Sequence, residues 1–173
     1  LQVGGNFFCD DGFTAEGSVA VIGAHISGLA GFDDATLAEG LDADRLHVDG
    51  DLSCSSLKAD GDISLVGARV GGVAKFDGAT LGQGLDADRL KVDGDFSCER
   101  GFTSKGNVQL RGARIGGDMI FRSANMAAGF NASGAKIEGD LHCSQDFKAE
   151  GAVQLLDAHI SGIASFGGAT LAH

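Results

Sequence analysis

Apolar residues in this chain recur as pairs two positions apart, separated by glycine, aspartate or serine, from one end of the sequence to the other. In VDGDLSCSSLKADGDISLVGARV (48–70) the pairs are Leu52 with Cys54, Leu57 with Ala59, Ile63 with Leu65, and Ala68 with Val70. Residues two apart on extended backbone share a face, so each pair predicts one short strand with an inward side. Pair centres follow one another at 5, 6, 5 and 6 residues, which closes a four-sided circuit in 22. Long helices are a poor alternative, because no 3.6-residue stripe is sustained and glycine interrupts every few residues.

The circuit repeats. Its opening phrase reads VGGNFFC at 3–9, ISGLAGF at 26–32, VDGDLSC at 48–54, VGGVAKF at 70–76, VDGDFSC at 92–98, IGGDMIF at 115–121, IEGDLHC at 137–143 and ISGIASF at 160–166. The unit is therefore 22 or 23 residues, with eight starts between Val3 and Ile160. This predicts an all-β fold, a right-handed parallel β-helix (four-sided solenoid) of about eight coils, as a single domain over 1–173. At about 4.8 Å per coil the rod is on the order of 38 Å long.

Every unit has glycine two residues after its start, at Gly5, Gly28, Gly50, Gly72, Gly94, Gly117, Gly139 and Gly162. A glycine fixed in a repeat predicts either a turn or a close backbone approach. The units starting at 3, 92 and 137 hold one extra residue between cysteine and the next aromatic, a corner insertion, since the motif keeps its phase on both sides.

Stacked coils would bring Cys9, Phe32, Cys54, Phe76, Cys98, Phe121, Cys143 and Phe166 into one column. The next column reads Phe13, Ala35, Leu57, Ala79, Phe102, Ala124, Phe147 and Ala169, small where the first is large. A third column, Ala15, Leu37, Ala59, Leu81, Ser104, Met126, Ala149 and Leu171, alternates in the opposite phase to the second. Interiors pack at crystal-like density, so a narrow bore requires a ring to lie over a small residue. The cysteines belong to that volume pattern. Two coils apart, about 9.6 Å, they are too distant for a disulfide or a shared zinc. Reduced thiols point weakly to a cytoplasmic setting.

Composition adds an acidic balance, 24 Asp plus Glu against 13 Lys plus Arg, a net charge of -11. That opposes nonspecific binding to nucleic acid or anionic membrane, and no apolar run is long enough to span a bilayer as a helix. Against this background one outward column stands out: His25, His47, Arg69, Lys91, Arg114, Lys136 and His159, on seven consecutive coils. It reads as a ladder for an anionic partner, or as a solubility device with Asp44, Asp49, Asp88, Asp93 and Glu138 placed to neutralise it.

A second outward column, Thr14, Thr36, Lys58, Thr80, Thr103, Asn125, Lys148 and Thr170, suits a strand surface. Ice binding wants a flat uncharged array, which Lys58 and Lys148 interrupt. GLDADRL at 40–46 and 84–90, with GFNASGA at 129–135, lacks the order and closing glutamate of a calcium loop. Asp42 and Asp86 are accordingly expected to be ordinary solvated carboxylates. No phosphate loop, dinucleotide fingerprint, HExxH or GxSxG is present. The histidines at 25, 47, 142, 159 and 173 have no spacing that assembles a triad. No catalytic residue, cofactor or metal ligand is assigned.

The triplets ANM at 124–126 and ATL at 35–37, 79–81 and 169–171, with the related AHI, ARV, ARI and AKI, resemble the pentapeptide-repeat proteins. That resemblance implies a quadrilateral β-helix with Ala124 and Met126, or Ala79 and Leu81, facing inward. The coil here is longer than the family's, which marks a diverged cousin of actinobacterial character. Some members of that family mimic DNA and regulate or protect DNA gyrase, and end-to-end dimers are common among them. The acidic balance agrees with this, and the basic ladder argues against it.

Neither end carries a polar cap of the kind solenoids use, so the chain is expected to be part of a longer solenoid or to self-associate through its ends. The favoured function is a non-enzymatic structural or protein-interaction scaffold. The alternatives are an acidic gyrase regulator and a self-assembling scaffold.

Overall fold

A computed structural model describes residues 1–172; His173 lies outside the described residues. Among the described residues thirty-one two-residue strands form four parallel sheets, in which each strand pairs with the equivalent strand of the adjoining coil on either side, the end strands on one side alone. The first face runs from Gln2–Val3 through His25–Ile26 to His159–Ile160, the second from Phe7–Phe8 to Ala164–Ser165, and the third from Thr14–Ala15 to Thr170–Leu171. The fourth face has seven strands, Val19–Ala20 to Val153–Gln154. The molecule is the four-sided solenoid that the pair spacing predicts.

The strands are shorter than the inward pairs. Leu52–Ser53 is a strand, and Cys54 follows it, fully buried, its N–H donating to Lys75 O at 2.7 Å. Phe32 N–H donates to Ser53 O and Phe76 N–H to Ser97 O in the same way, both at 2.7 Å. Cys54 thus sits between Phe32 and Phe76 along the rod. All eight inward residues of the 52–70 circuit are buried, as are Ala124, Met126, Ala79 and Leu81. Ser104, the one hydroxyl in its column, donates to Gly106 O at 2.8 Å, which explains a polar group in that position.

The repeated glycine answers to close approach and not to handedness. From Gly28 to Gly162 each donates its N–H to the glycine one coil below, at 2.9–3.1 Å. None of these seven has a left-handed backbone. The left-handed region is occupied at other corners, as often by residues with side chains, including Asp34, Ser56 and Ser123, as by glycine. There the N–H three residues on closes a turn, as Ala35 does to Phe32 O at 3.3 Å, with positive φ at the third turn position. The corner insertions are absorbed by a second left-handed residue: Asp11 with Gly12, Arg100 with Gly101, and Gln145 with Asp146. The turn bond then starts one residue later, from Phe13 to Asp10, Phe102 to Glu99, and Phe147 to Ser144.

The core is uneven along the rod. Phe121 lies among Phe96, Phe130 and Phe147, with ring centroids 6.2, 4.8 and 6.3 Å away. Phe32 has one ring neighbour, Phe7 at 5.9 Å. The end coils leave apolar side chains open: Phe8 and Leu1 at one end, Leu156, Ile163 and Leu171 towards the other.

All four cysteines are free thiols. Burial pushes the Cys54 and Cys98 thiols far up and Cys143 up to about 12, while Cys9, in the first coil, is raised by partial burial and by Asp10. The thiolate is the nucleophile. A thiol reagent at pH 8 is therefore expected to label Cys9 in the native protein and the other three only on unfolding. Equal rates at all four, read by mass spectrometry of the labelled peptides, would contradict this packing role.

Candidate functional site

Parallel register dictates the ladder on the first face. His25 pairs with His47, Arg69 with His47 and Lys91, Arg114 with Lys91 and Lys136, and Lys136 with His159. Each is the first residue of its strand and points outward, while the second residue, such as Ile26, Val48, Val70 or Ile115, is buried. Alternation along a strand and identity of phase between coils are enough to produce the column.

The ladder divides into chemically different parts. Asp49 engages the histidines: its carboxylate lies 3.1 Å from His25 Nε2 through either oxygen and 3.3 Å from His47 Nε2. The two imidazole rings stack 4.7 Å apart. Arg69, Lys91, Arg114 and Lys136 form no ion pair among the described residues.

Of the other acids expected to neutralise them, Asp44, Asp88 and Glu138 are held by other groups. Asp44 accepts from Ser64 Oγ and from Val66 N–H at 3.0 Å. Asp88 accepts from Arg111 N–H at 2.9 Å and holds the Arg111 guanidinium through Nε at 2.8 Å and through NH2, an arrangement that raises that guanidinium's pKa. Glu138 accepts from Ser161 Oγ at 3.4 Å. Asp93 lines the same face without pairing to a ladder cation.

Two further cations join the face. Arg45 and Arg89, the arginines of the two GLDADRL segments, stand at the corner that leads into His47 and Lys91, each in a left-handed backbone conformation. With Arg69 and Lys91 they line a shallow depression in which Asp44 is the acid. A second depression is lined by Lys91, Arg114 and Lys136 with Asp93 and Glu138. Arg45 and Arg89 were readable from the sequence, since each lies two residues before a ladder position.

The aspartates of the GLDADRL segments do a local job. Asp42 Oδ1 accepts Asp44 N–H at 3.2 Å and Asp86 Oδ1 accepts Asp88 N–H at 3.1 Å. Asn131 does the same for Ser133 N–H at 2.9 Å. Both carboxylates are partly exposed and cap their corners through one oxygen. The amide at Asn131 shows that an oxygen acceptor, and not charge, is what the corner requires.

A longer acidic column follows the repeated glycine. Asp51, Asp95, Asp118 and Asp140 accept the N–H of Val73, Asp118, Asp140 and Ile163 one coil above at 2.7–2.9 Å, and Asn6 accepts Leu29 N–H at 2.9 Å. The recurrent Gly-Asp is therefore a stacking device. His142 Nε2 lies 3.7 Å from Asp118 and 3.8 Å from Asp140 on the second face.

Among the described residues no helix is long and apolar enough to cross a membrane. No protein-family model matches the chain, and searches of curated proteins and of solved structures return no match. The likeness to pentapeptide-repeat proteins accordingly stands as one of architecture: a four-sheet, eight-turn parallel solenoid with a period of about 22 residues.

Proposed function

We propose that this chain is a non-enzymatic scaffold whose first face binds an acidic protein segment. One observation carries the reading: Arg69, Lys91, Arg114 and Lys136 stand on four consecutive rungs without an ion partner among the described residues, although the chain as a whole is acidic. Rungs about 4.8 Å apart come close to the reach of acidic side chains on an extended partner. Local fields act within about a Debye length of 8 Å at physiological salt, so net charge elsewhere on the rod does not cancel them. Arg45 and Arg89 widen the stripe.

The test is fluorescence anisotropy with a labelled oligoglutamate peptide at low and physiological salt, alongside affinity capture on the native protein. Reversing Arg69, Lys91, Arg114 and Lys136 to glutamate is expected to weaken peptide binding by at least about tenfold, at up to roughly 1 kcal/mol per exposed pair. Reversing Lys58 and Lys148 on the third face is expected to leave it unchanged. Equal binding by both variants, or none by the parent, rejects the reading.

A DNA-mimicking gyrase regulator has less support. Many of the carboxylates that make the chain acidic are tied to backbone N–H groups, and asparagine serves at Asn6 and Asn131 in the same roles. Self-assembly through the ends draws on the apolar side chains open there, and light scattering across protein concentration distinguishes it.

A further inference from the structure

We propose that His25, His47 and Asp49 form a binding site for a borderline divalent transition ion, with zinc as the natural class. Two imidazole nitrogens and one carboxylate oxygen lie within 4.8 Å of one another. Bonds of about 2.0–2.1 Å to a tetrahedral ion put neighbouring donor atoms about 3.3 Å apart. Nε2 of His25 and of His47 lie 3.1 and 3.3 Å from Asp49 Oδ1, so two edges of that tetrahedron already exist.

The frame behind the donors is rigid. His25 and His47 are register partners on adjacent strands, and the strand spacing of about 4.8 Å matches their ring separation of 4.7 Å. Backbone bonds hold each rung: His25 N–H to Leu1 O, His47 N–H to Ala24 O and Asp49 N–H to Ile26 O, at 2.8–3.0 Å.

Without an ion, the carboxylate satisfies both rings only if each carries its proton on Nε2. A bound cation instead takes a lone pair from each of the same three atoms, with each ring proton on Nδ1, and relieves that demand. Imidazole donors favour zinc, cobalt, nickel or copper over calcium or magnesium, which take oxygen ligands. The donors are about half exposed, with side-chain accessibilities of 42%, 50% and 44%, which leaves a fourth position for water. Arg69 on the next rung carries a fixed charge and ends the site on that side.

The other cluster, Asp118, Asp140 and His142, is a built-in comparison. Its Nε2-to-oxygen separations of 3.7 and 3.8 Å are wider, and each aspartate already spends Oδ1 on a backbone N–H. The proposal does not rest on the acidic-partner reading, since it uses none of the four free cations.

The experiment titrates the whole chain with Co2+, read by visible absorption, and with Zn2+ in competition against a chromophoric chelator. One tight equivalent with tetrahedral cobalt bands is expected. His25→Ala and His47→Ala should each weaken binding by at least about tenfold, while His142→Ala leaves it unchanged. Circular dichroism melts confirm that these outward substitutions keep the fold, and Asp49→Asn, which retains a hydrogen-bonding oxygen, provides a second weakened variant. Absence of cobalt bands in the parent overturns the site. So does binding that survives His25→Ala and His47→Ala, or that disappears with His142→Ala alone.

Discussion

Phe121→Ala is expected to destabilise the protein by about 3–5 kcal/mol, the range for truncating a buried phenylalanine whose surroundings cannot collapse. The Phe121 ring is fully buried, and three other rings on the second, third and fourth sides of the bore lean on it. Strand registers hold the walls at fixed spacing, so the cavity stays open. Because coils contact only their neighbours, the loss should uncouple the rod into two cooperative segments. Urea unfolding followed by circular dichroism would show a lower midpoint and a reduced slope. Phe32→Ala, with a single ring neighbour near the rod end, is expected to cost less. Equal costs at the two positions would mean that the aromatic cluster adds nothing beyond buried area.

Gly139→Ala should be nearly as damaging, about 2–4 kcal/mol, although alanine is the mildest replacement glycine has. A methyl carbon there would lie 2.2 Å from Asp118 Oδ1 and 2.7 Å from Gly117 O. It must displace the carboxylate that accepts Asp140 N–H, push the two coils apart, or both. Leaving a part-buried donor unpaired costs about 1 kcal/mol or more, the low end of the range for buried groups, and strain between coils adds to it. The comparison is Gly67→Asn, at a left-handed corner with φ of +68° where the nearest atom to a methyl would be Arg45 Cγ at 3.8 Å. The same corner in neighbouring coils holds Arg45 and Arg89, so asparagine should change the melting temperature little. A larger loss at Gly67 than at Gly139 would mean that handedness, and not proximity, explains the repeated glycine.

These two predictions separate what periodicity reveals from what it conceals. The eightfold unit, the inward pairs, the cysteine and phenylalanine column and the first-face ladder were all legible, because a solenoid converts sequence spacing directly into position. Each coil lies over the last, so residues 22 or 23 apart must meet. The same logic located the corner insertions, since an extra residue that leaves the phase intact has nowhere else to go. The period could not tell a turn glycine from a contact glycine, because both recur equally. Only the carbonyl and carboxylate of the coil below decide between them.

Charge pairing was the least readable feature. Column membership places His25, His47 and Arg69 on successive rungs, yet whether Asp49 reaches the histidines depends on side-chain rotamers and on which oxygens the backbone has already claimed. Asp44 and Asp88 illustrate this: close to the ladder in sequence, they are held by Val66 and Arg111 one coil above.

By itself the chain determined a parallel four-sided rod and the membership of every column, because strand alternation and a constant coil length leave no other way to bury the apolar pairs. The tertiary structure alone decided which carboxylates stay free, which glycines touch backbone, and where rings cluster across the bore. Those outcomes depend on distances of a few ångströms between different faces and coils, which no one-dimensional spacing encodes.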